Sequence, residues 1–523
     1  MKNNKKVLLI ILDGWGLSPA KIGNAPFLAK TPVLDYVYSN YPKTSLSASG
    51  LEVGLSAGEP GNSEVGHMSI GLGRIAMQNL PRIDQAIASQ EFFENPVLSA
   101  TMSKVKHNKG CLHLIGLVSD GGVHSHIRHL ITLLEMARNK GVKDICIHAI
   151  TDGRDTPPEK AKIFLQQISE ACNYLKVGRI ATIVGRYYAM DRDKNWDRQK
   201  KAFDLFVSNV GERFLTVDEA IDANYKNKIS DEFITPSVVG DGCVVKASDS
   251  IIFFNHRSDR FRQLLMMFEG RVKGFTAPKL LDMVSMTQYD EDQKTPIVFL
   301  PQSMTNTLSE VIAKKGLSQF HTAETEKFAH VTYFLKAGVY KLFPGEKDVV
   351  TPSKKVPSYD KLPEMSSKEI TEQVNIAIKK SFDFIIVNYA NGDMVGHTGV
   401  LSAGIKACES VDSCLGQILS SSSAASYKVF ITADHGNCEG MINDVTKSPS
   451  KEHSTNPVPF VYLDFSKKPY AFVSTDYKNE DYMQYAVSTP IGVLADVAPS
   501  VLANLGIAAP KEMSGMDLSI AML

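Results

Sequence analysis

At 523 residues the chain is too long for one ordinary core, and at roughly 100–200 residues per domain it should fold as two to four. Hydrophobic residues at 43% and charged residues at 22% are globular proportions, while 57 Lys+Arg against 57 Asp+Glu leave no net charge. That balance excludes a nucleic-acid or anionic-membrane binder, whose partners demand excess basic charge, so any strong field must be local to a cleft.

The chain opens with Lys5-Lys6 and an apolar run over 7–12 that is too short for a signal peptide and ends in Asp13-Gly14-Trp15-Gly16 without a small-residue cleavage site. No stretch approaches the roughly 20 apolar residues of a membrane span. The seven cysteines include no C-x-x-C pair, which reads as neither a disulfide framework nor a zinc knuckle. The expectation is a soluble, unprocessed, cytoplasmic monomer.

The run 7–12, halted by Asp-Gly, predicts a strand buried on both faces of a parallel sheet, with Asp13 at its carboxyl end, where open α/β sheets collect ligands. A helix is predicted from Pro32 to about Tyr38. A Gly/Pro-rich loop over 54–61 leads into Gly61-Asn62-Ser63-Glu64-Val65-Gly66-His67, a serine among glycines where a turn hands over to a helix. Strands are predicted at 111–118, ending at Ser119-Asp120-Gly121-Gly122, and at 145–150, ending at Thr151-Asp152-Gly153-Arg154-Asp155. A helix over 127–139 lies between them, and another follows Pro158. Residues 179–184 lead to Gly185-Arg186-Tyr187-Tyr188, and 250–254 to Asn255-His256-Arg257-Ser258-Asp259-Arg260. After a crossover at 302–306, strands are predicted at 384–387, 428–432 and 460–463. The serine run 420–426 reads as a linker and 473–488 as a surface insertion. Strands alternating with helices imply right-handed βαβ units on mostly parallel sheets, an α/β fold.

A serine hydroxyl attacks only when a base or a metal ion activates it. Asp393 and His397 follow one predicted strand four residues apart, Asp434 and His435 sit together at the end of the next, and His453 precedes the last. Aspartate oxygen with histidine nitrogen suits Mn²⁺, Zn²⁺ or iron, and two such groups allow a two-metal site. A second set, His124, Arg154, Asp155, Arg186, Arg192, Arg257 and Arg260, falls mostly just after strands. Guanidinium forks converging on one cleft suit a small, multiply anionic substrate.

The segments around Asp13, Ser63, Ser119 to His126, Asp152 to Asp155, Asn391 to His397 and Thr432 to Asn437 together resemble the cofactor-independent phosphoglycerate mutases of the alkaline phosphatase superfamily, over nearly the whole chain and in order. The resemblance implies an alkaline-phosphatase-like metal domain from 1–78 and 305–523, with a substrate-binding transferase domain, 79–304, inserted in it. It implies two divalent ions, usually manganese, one held by Asp393, His397 and His453 and the other by Asp13, Ser63, Asp434 and His435. It assigns substrate contacts to His124, Arg154, Asp155, Arg186, Arg192, Arg257, Arg260 and Lys327, the last in Glu326-Lys327-Phe328. The implied reaction interconverts 3-phosphoglycerate and 2-phosphoglycerate through a phosphoserine on Ser63, with Asp155 moving the hydroxyl protons. A metal-dependent phosphohydrolase of the same superfamily is the alternative, in which water takes the phosphate, though the arginine set is then hard to explain. The chain departs from the family pattern at His256 and Ser258, at Lys336-Ala337-Gly338, and over 473–488.

Overall fold

Leu8, Leu9, Ile10 and Ile11 are apolar on both strand faces, so their segment can be satisfied only at the middle of a sheet covered on each side. In the computed structural model of the chain, which describes residues 5–443, 445–471 and 490–521, all four are fully buried in β1 (Lys6–Leu12). The chain divides into two compact units, Met1–Gln78 with Ser303–Leu523, and Asn79–Gln302.

In chain order the first unit opens with β1 and β2 (Lys43–Ser47). The second unit carries β3 (Leu112–Leu117), β4 (Ile145–Thr151), β5 (Arg179–Gly185), β6 (Glu212–Phe214), β7 (Ser237–Val239), β8 (Ser250–Phe253) and β9 (Asp282–Ser285). The first unit then resumes with β10 (Gln319–Glu324), β11 (Glu346–Thr351), β12 (Phe384–Tyr389), β13 (Tyr427–Thr432), β14 (Val458–Asp464) and β15 (Gly492–Val493).

The first unit's sheet runs β11-β10-β12-β1-β13-β14-β2-β15, and only the pairs made by β14 are antiparallel. The second unit's sheet runs β6-β7-β5-β4-β3-β8-β9, antiparallel only at β5 with β7. The α/β class with mostly parallel sheets is therefore the observed one. Register places the chemistry: Leu12 lies opposite Tyr389 and Ile11 opposite Thr432. The residues following β1, β12 and β13 thus leave the sheet at one edge.

Two readings change. The serine run 420–426 is no linker, because the helix Leu401–Ala424 continues through it with Ser422 buried. The buried stripe Ala407, Val411, Cys414, Leu415, Ile418 and Leu419 decides the matter, outweighing the weak helix preference of serine. The cysteines, without a pairing signal in their spacing, include a disulfide joining Cys146 and Cys243, 97 residues apart. Residues 473–488 lie outside the described residues. Among the described residues no helix is long and apolar enough to cross a membrane.

Ile10→Ala would open a hole in the central strand of the first unit. We expect a loss of roughly 2–5 kcal/mol, read by denaturant unfolding; unchanged stability would show that β1 is not packed on both faces.

Candidate active site

The edge where β1, β12 and β13 end is assembled by close backbone approach. Gly14 has φ +71°, and a Cβ there would lie 2.6 Å from Asp393 Cα, so only glycine lets the turn after β1 touch the turn after β12. Gly66 plays the same part for the helix Ser63–Leu72, where a Cβ would fall 2.5 Å from the Asp434 carbonyl oxygen. Asn62 caps this helix by accepting the Val65 N–H at 3.0 Å, which makes Ser63 its first residue, beside the positive end of the helix dipole. Asp393 and His397, on and just after the helix Asn391–Gly396, are four residues apart and share a face.

Ser63 Oγ lies 2.9 Å from His435 Nε2 and 3.2 Å from Asp13 Oδ1. Lys327 Nζ is within 2.6 Å of Ser63 Oγ, Asp13 Oδ1 and Asp393 Oδ2 together. Asp13, Asp393 and Asp434 are all buried. Burial, and then Asp434, push the Asp13 carboxyl up. Burial acts likewise on the other two, but Lys327, His397 and His453 hold Asp393 well below the carboxylate range, and His435 and His67 hold Asp434 low. Burial opposes the Lys327 charge, yet the three carboxylates outweigh it and raise its pKa. One ammonium facing three buried carboxylates leaves a site that calls for more positive charge.

The imidazoles show where it would go. His397 Nδ1 donates to Lys451 O at 2.7 Å and His453 Nδ1 to Gly61 O at 2.7 Å, tautomers that leave both Nε2 lone pairs free. Those two nitrogens stand 3.0 Å apart, and each lies within 3.2 Å of Asp393 Oδ1. With both rings neutral, three acceptors meet there. On the other side, Asp434 Oδ2 is buried without a hydrogen bond, 3.2 Å from His67 Nδ1 and 3.6 Å from His435 Nε2. Carboxylate and imidazole atoms arranged this way fit divalent cations.

One residue of this network was singled out by the resemblance alone, and His67, Asn388 and Asn437 were not singled out at all. Lys327, grouped with the substrate contacts by resemblance, sits among the carboxylates. His67 bridges Ser63 O, at 2.8 Å, and Asp434, while its Nε2 is 3.1 Å from Asn388, which donates to Asp13 at 2.6 Å. Asn437 donates to Asp393 Oδ1 at 2.9 Å. His67 had a signal: it lies one helical turn after Ser63 on the same face.

In the second unit a cavity of about 370 Å³ is lined by Arg154, Arg186, Arg192 and Arg260, with Arg198 added. Buried Arg186 donates to Asp152 at 2.6 Å and to Asp155 at 2.5 Å. Asp152 in turn accepts the N–H groups of Arg154 and Asp155, fixing the turn after β4. His124 and Arg257 adjoin this set without lining the cavity: His124 is 3.9 Å from Asp155, and Arg257 is 3.1 Å from Asp259. Burial and Arg186 push His124 down to about 4, so it stays neutral at physiological pH. Burial, Arg186, Arg192 and Arg154 all work against the charge on Arg260, a strain that an anion in the cavity would relieve. Arg198 lies 3.9 Å over the Tyr187 ring and 3.0 Å from Asp191, the residue before Arg192.

Residues 83–291 match the family described as BPG-independent PGAM N-terminus. A curated relative, 2,3-bisphosphoglycerate-independent phosphoglycerate mutase of Clostridium beijerinckii, is 44% identical over 526 residues, covering 99% of this chain and 99% of the relative. The Clostridium tetani enzyme of the same name is 45% identical over 524 residues with the same coverage. Among solved structures, phosphoglycerate mutase of Leishmania mexicana, crystallised at low cobalt concentration, matches with TM-score 0.54 and 30% identity, over 98% of this chain and 97% of that one.

Asp393 raises the His397 pKa against burial, and outweighs the burial that lowers His453, so protons compete with a cation for both. Divalent-metal affinity should therefore weaken as pH falls through the histidine range, with protons released on binding at mildly acidic pH. Calorimetry in buffers of different ionisation enthalpy measures this; a pH-independent affinity would remove these histidines from the ligand set.

Proposed function

The chain belongs to the 2,3-bisphosphoglycerate-independent phosphoglycerate mutases, which interconvert 3-phosphoglycerate and 2-phosphoglycerate, and we propose that it does so through a phosphoserine formed on Ser63. The supporting observation is the setting of Ser63 Oγ: at a helix N-terminus, 2.6 Å from the Lys327 ammonium and 2.9 Å from His435 Nε2. The helix N-terminus and the ammonium favour negative charge on that oxygen.

Metal dependence is general in the family. In our reading Asp393, His397 and His453 would hold one divalent ion and Asp13, Ser63, Asp434 and His435 a second, with manganese the proposed metal. Bound there, such ions would lower the pKa of the Ser63 hydroxyl and neutralise the phosphoryl oxygens. The remaining work falls to the chain. Ser63 Oγ bonds to phosphorus as the bond to the glycerate 3-oxygen breaks, and Lys327 donates to Ser63 Oγ. Arg154, Arg186, Arg192, Arg257 and Arg260, with neutral His124, hold the glycerate by its anionic and hydroxyl oxygens. Asp155, 2.5 Å from Arg186, moves the proton from the 2-hydroxyl to the 3-oxygen, and the freed 2-oxygen takes the phosphoryl group back from Ser63. The reaction requires both residue sets to act on one substrate. We place the discontinuous unit in phosphoryl transfer and the Asn79–Gln302 unit in holding the glycerate. We further propose that the chain acts on this small anion as a cytoplasmic monomer.

Conversion of 3-phosphoglycerate to 2-phosphoglycerate without added bisphosphoglycerate should stop with a chelator and resume with Mn²⁺. Ser63→Ala should lower kcat by at least about 10³-fold. A Ser63→Ala protein with a tenth of the activity would sink the proposal, and release of glycerate plus inorganic phosphate would favour the hydrolase reading.

A further inference from the structure

Four hydrogen-bond donors from three separate turns of the first unit converge on one buried carboxylate that has no part in the reaction. Glu439, 1% exposed, sits in the short turn after β13, two residues past Asn437. Its Oε2 accepts the backbone N–H of Gly16 at 3.0 Å and that of Asn437 at 2.9 Å. Its Oε1 accepts the Ser454 hydroxyl and, at 3.0 Å, the Asn456 side-chain amide. These partners stand beside the residues assigned to the cations: Gly16 is three residues after Asp13, Asn437 two after His435, and Ser454 directly follows His453. The backbone ties the same turns, since Ser454 donates to Gly436 O and Asn437 to Gly14 O, each at 3.0 Å. The Asn437 side chain carries the network on to Asp393 Oδ1, at 2.9 Å.

We propose that Glu439 is the positioning residue that holds these three ligand-bearing turns at the spacing divalent cations require, an inference that rests on the metal assignment given under Proposed function. The chemistry of the place demands a carboxylate. All four partners are donors, and an ionised carboxylate offers acceptors on both oxygens and no hydrogen of its own. A glutamine of the same shape would turn its amide hydrogens toward two of the four donors, leaving those two without an acceptor. Room is also reserved: a Cβ on Gly16 or on Gly436 would run into the Glu439 carboxylate, so both glycines let the turns close around it. Strand register brings Asp13, Asp393 and Asp434 to one edge, but His453 comes from the loop before β14, where no ladder fixes its reach. Its neighbours Ser454 and Asn456, bonded to Glu439, supply that fixing, together with the contact of His453 itself to Gly61 O. Partners of this outer kind act by holding the ligands still, without touching the ion.

Calorimetric titration of the metal-free, full-length protein with Mn²⁺, alongside its thermal unfolding in the presence of chelator, is the test. In Glu439→Gln we expect Mn²⁺ affinity to fall by about 10–100-fold, KM for 3-phosphoglycerate to hold, and kcat to recover as Mn²⁺ is raised. Ser454→Ala, which removes the side-chain bond from the His453 turn, should weaken one of the two binding events and spare the other, and it carries the test should Glu439→Gln not fold. Unaltered protein that binds no Mn²⁺ would overturn the metal assignment and this inference with it. Binding by the unaltered protein with the same affinity in both variants would overturn the positioning role alone. So would a Glu439→Gln protein whose metal-free form melts earlier while its Mn²⁺ affinity stays unchanged.

Discussion

Three carboxylates buried at one sheet edge are the constraint on which the candidate site depends. Asp13, Asp393 and Asp434 follow strands whose register ends them together, so the fold alone brings like charges out of water and into reach of one another. Left uncompensated, each would cost several kcal/mol. The structure answers with the Lys327 ammonium, bonded to two of the three, and with histidines whose tautomers are fixed by backbone carbonyls. Ser63 Oγ lies within that charge arrangement, 2.6 Å from the ammonium and 3.2 Å from Asp13.

The second unit has the complementary problem. Arg154, Arg186, Arg192, Arg198 and Arg260 crowd one cavity that Asp191, Asp193 and Glu232 also line, and despite the carboxylates around it Arg186, Arg192 and Arg154 oppose the charge on Arg260. Acidic centre and basic cavity each lack what a phosphoglycerate with its metal ions supplies, cations for one and anionic oxygens for the other. A hydrolase would need only the first. A mutase must also keep the glycerate in hand while the phosphoryl group is away from it, the task proposed above for the arginine set.

Much of this was legible in the sequence because the chemistry lies at strand ends. Asp13, Asp434 and His435 directly follow or nearly follow apolar runs, and a parallel sheet gathers such positions whatever the distance between them in the chain. Ser63 was marked by its glycines, Gly61 and Gly66, which prove to be close-approach positions against the Ala48 and Asp434 carbonyl oxygens. What the residue pattern alone did not mark, Lys327 included though the resemblance named it, had no periodic or punctuating signal. Lys327 sits in a short helix, Thr325–Ala329, that resembles any charged surface turn until its burial is known. Asn388 lies inside a strand, where an amide looks like a tolerated polar residue. The joining of Cys146 and Cys243 depends on which segments are neighbours, and cysteine spacing does not carry that. The serine run 420–426 misled because local composition was weighed without the apolar stripe of the helix entering it.

The central claim is that the phosphoryl group rests covalently on Ser63 during turnover. Acid quenching of the manganese-loaded enzyme within its first turnovers on 3-phosphoglycerate, followed by mass spectrometry of the peptide containing Ser63, tests it most directly. The account predicts phosphate on Ser63 at an occupancy that falls as substrate is exhausted. A peptide that stays unmodified while 2-phosphoglycerate accumulates, or phosphate found on a histidine instead, would contradict it.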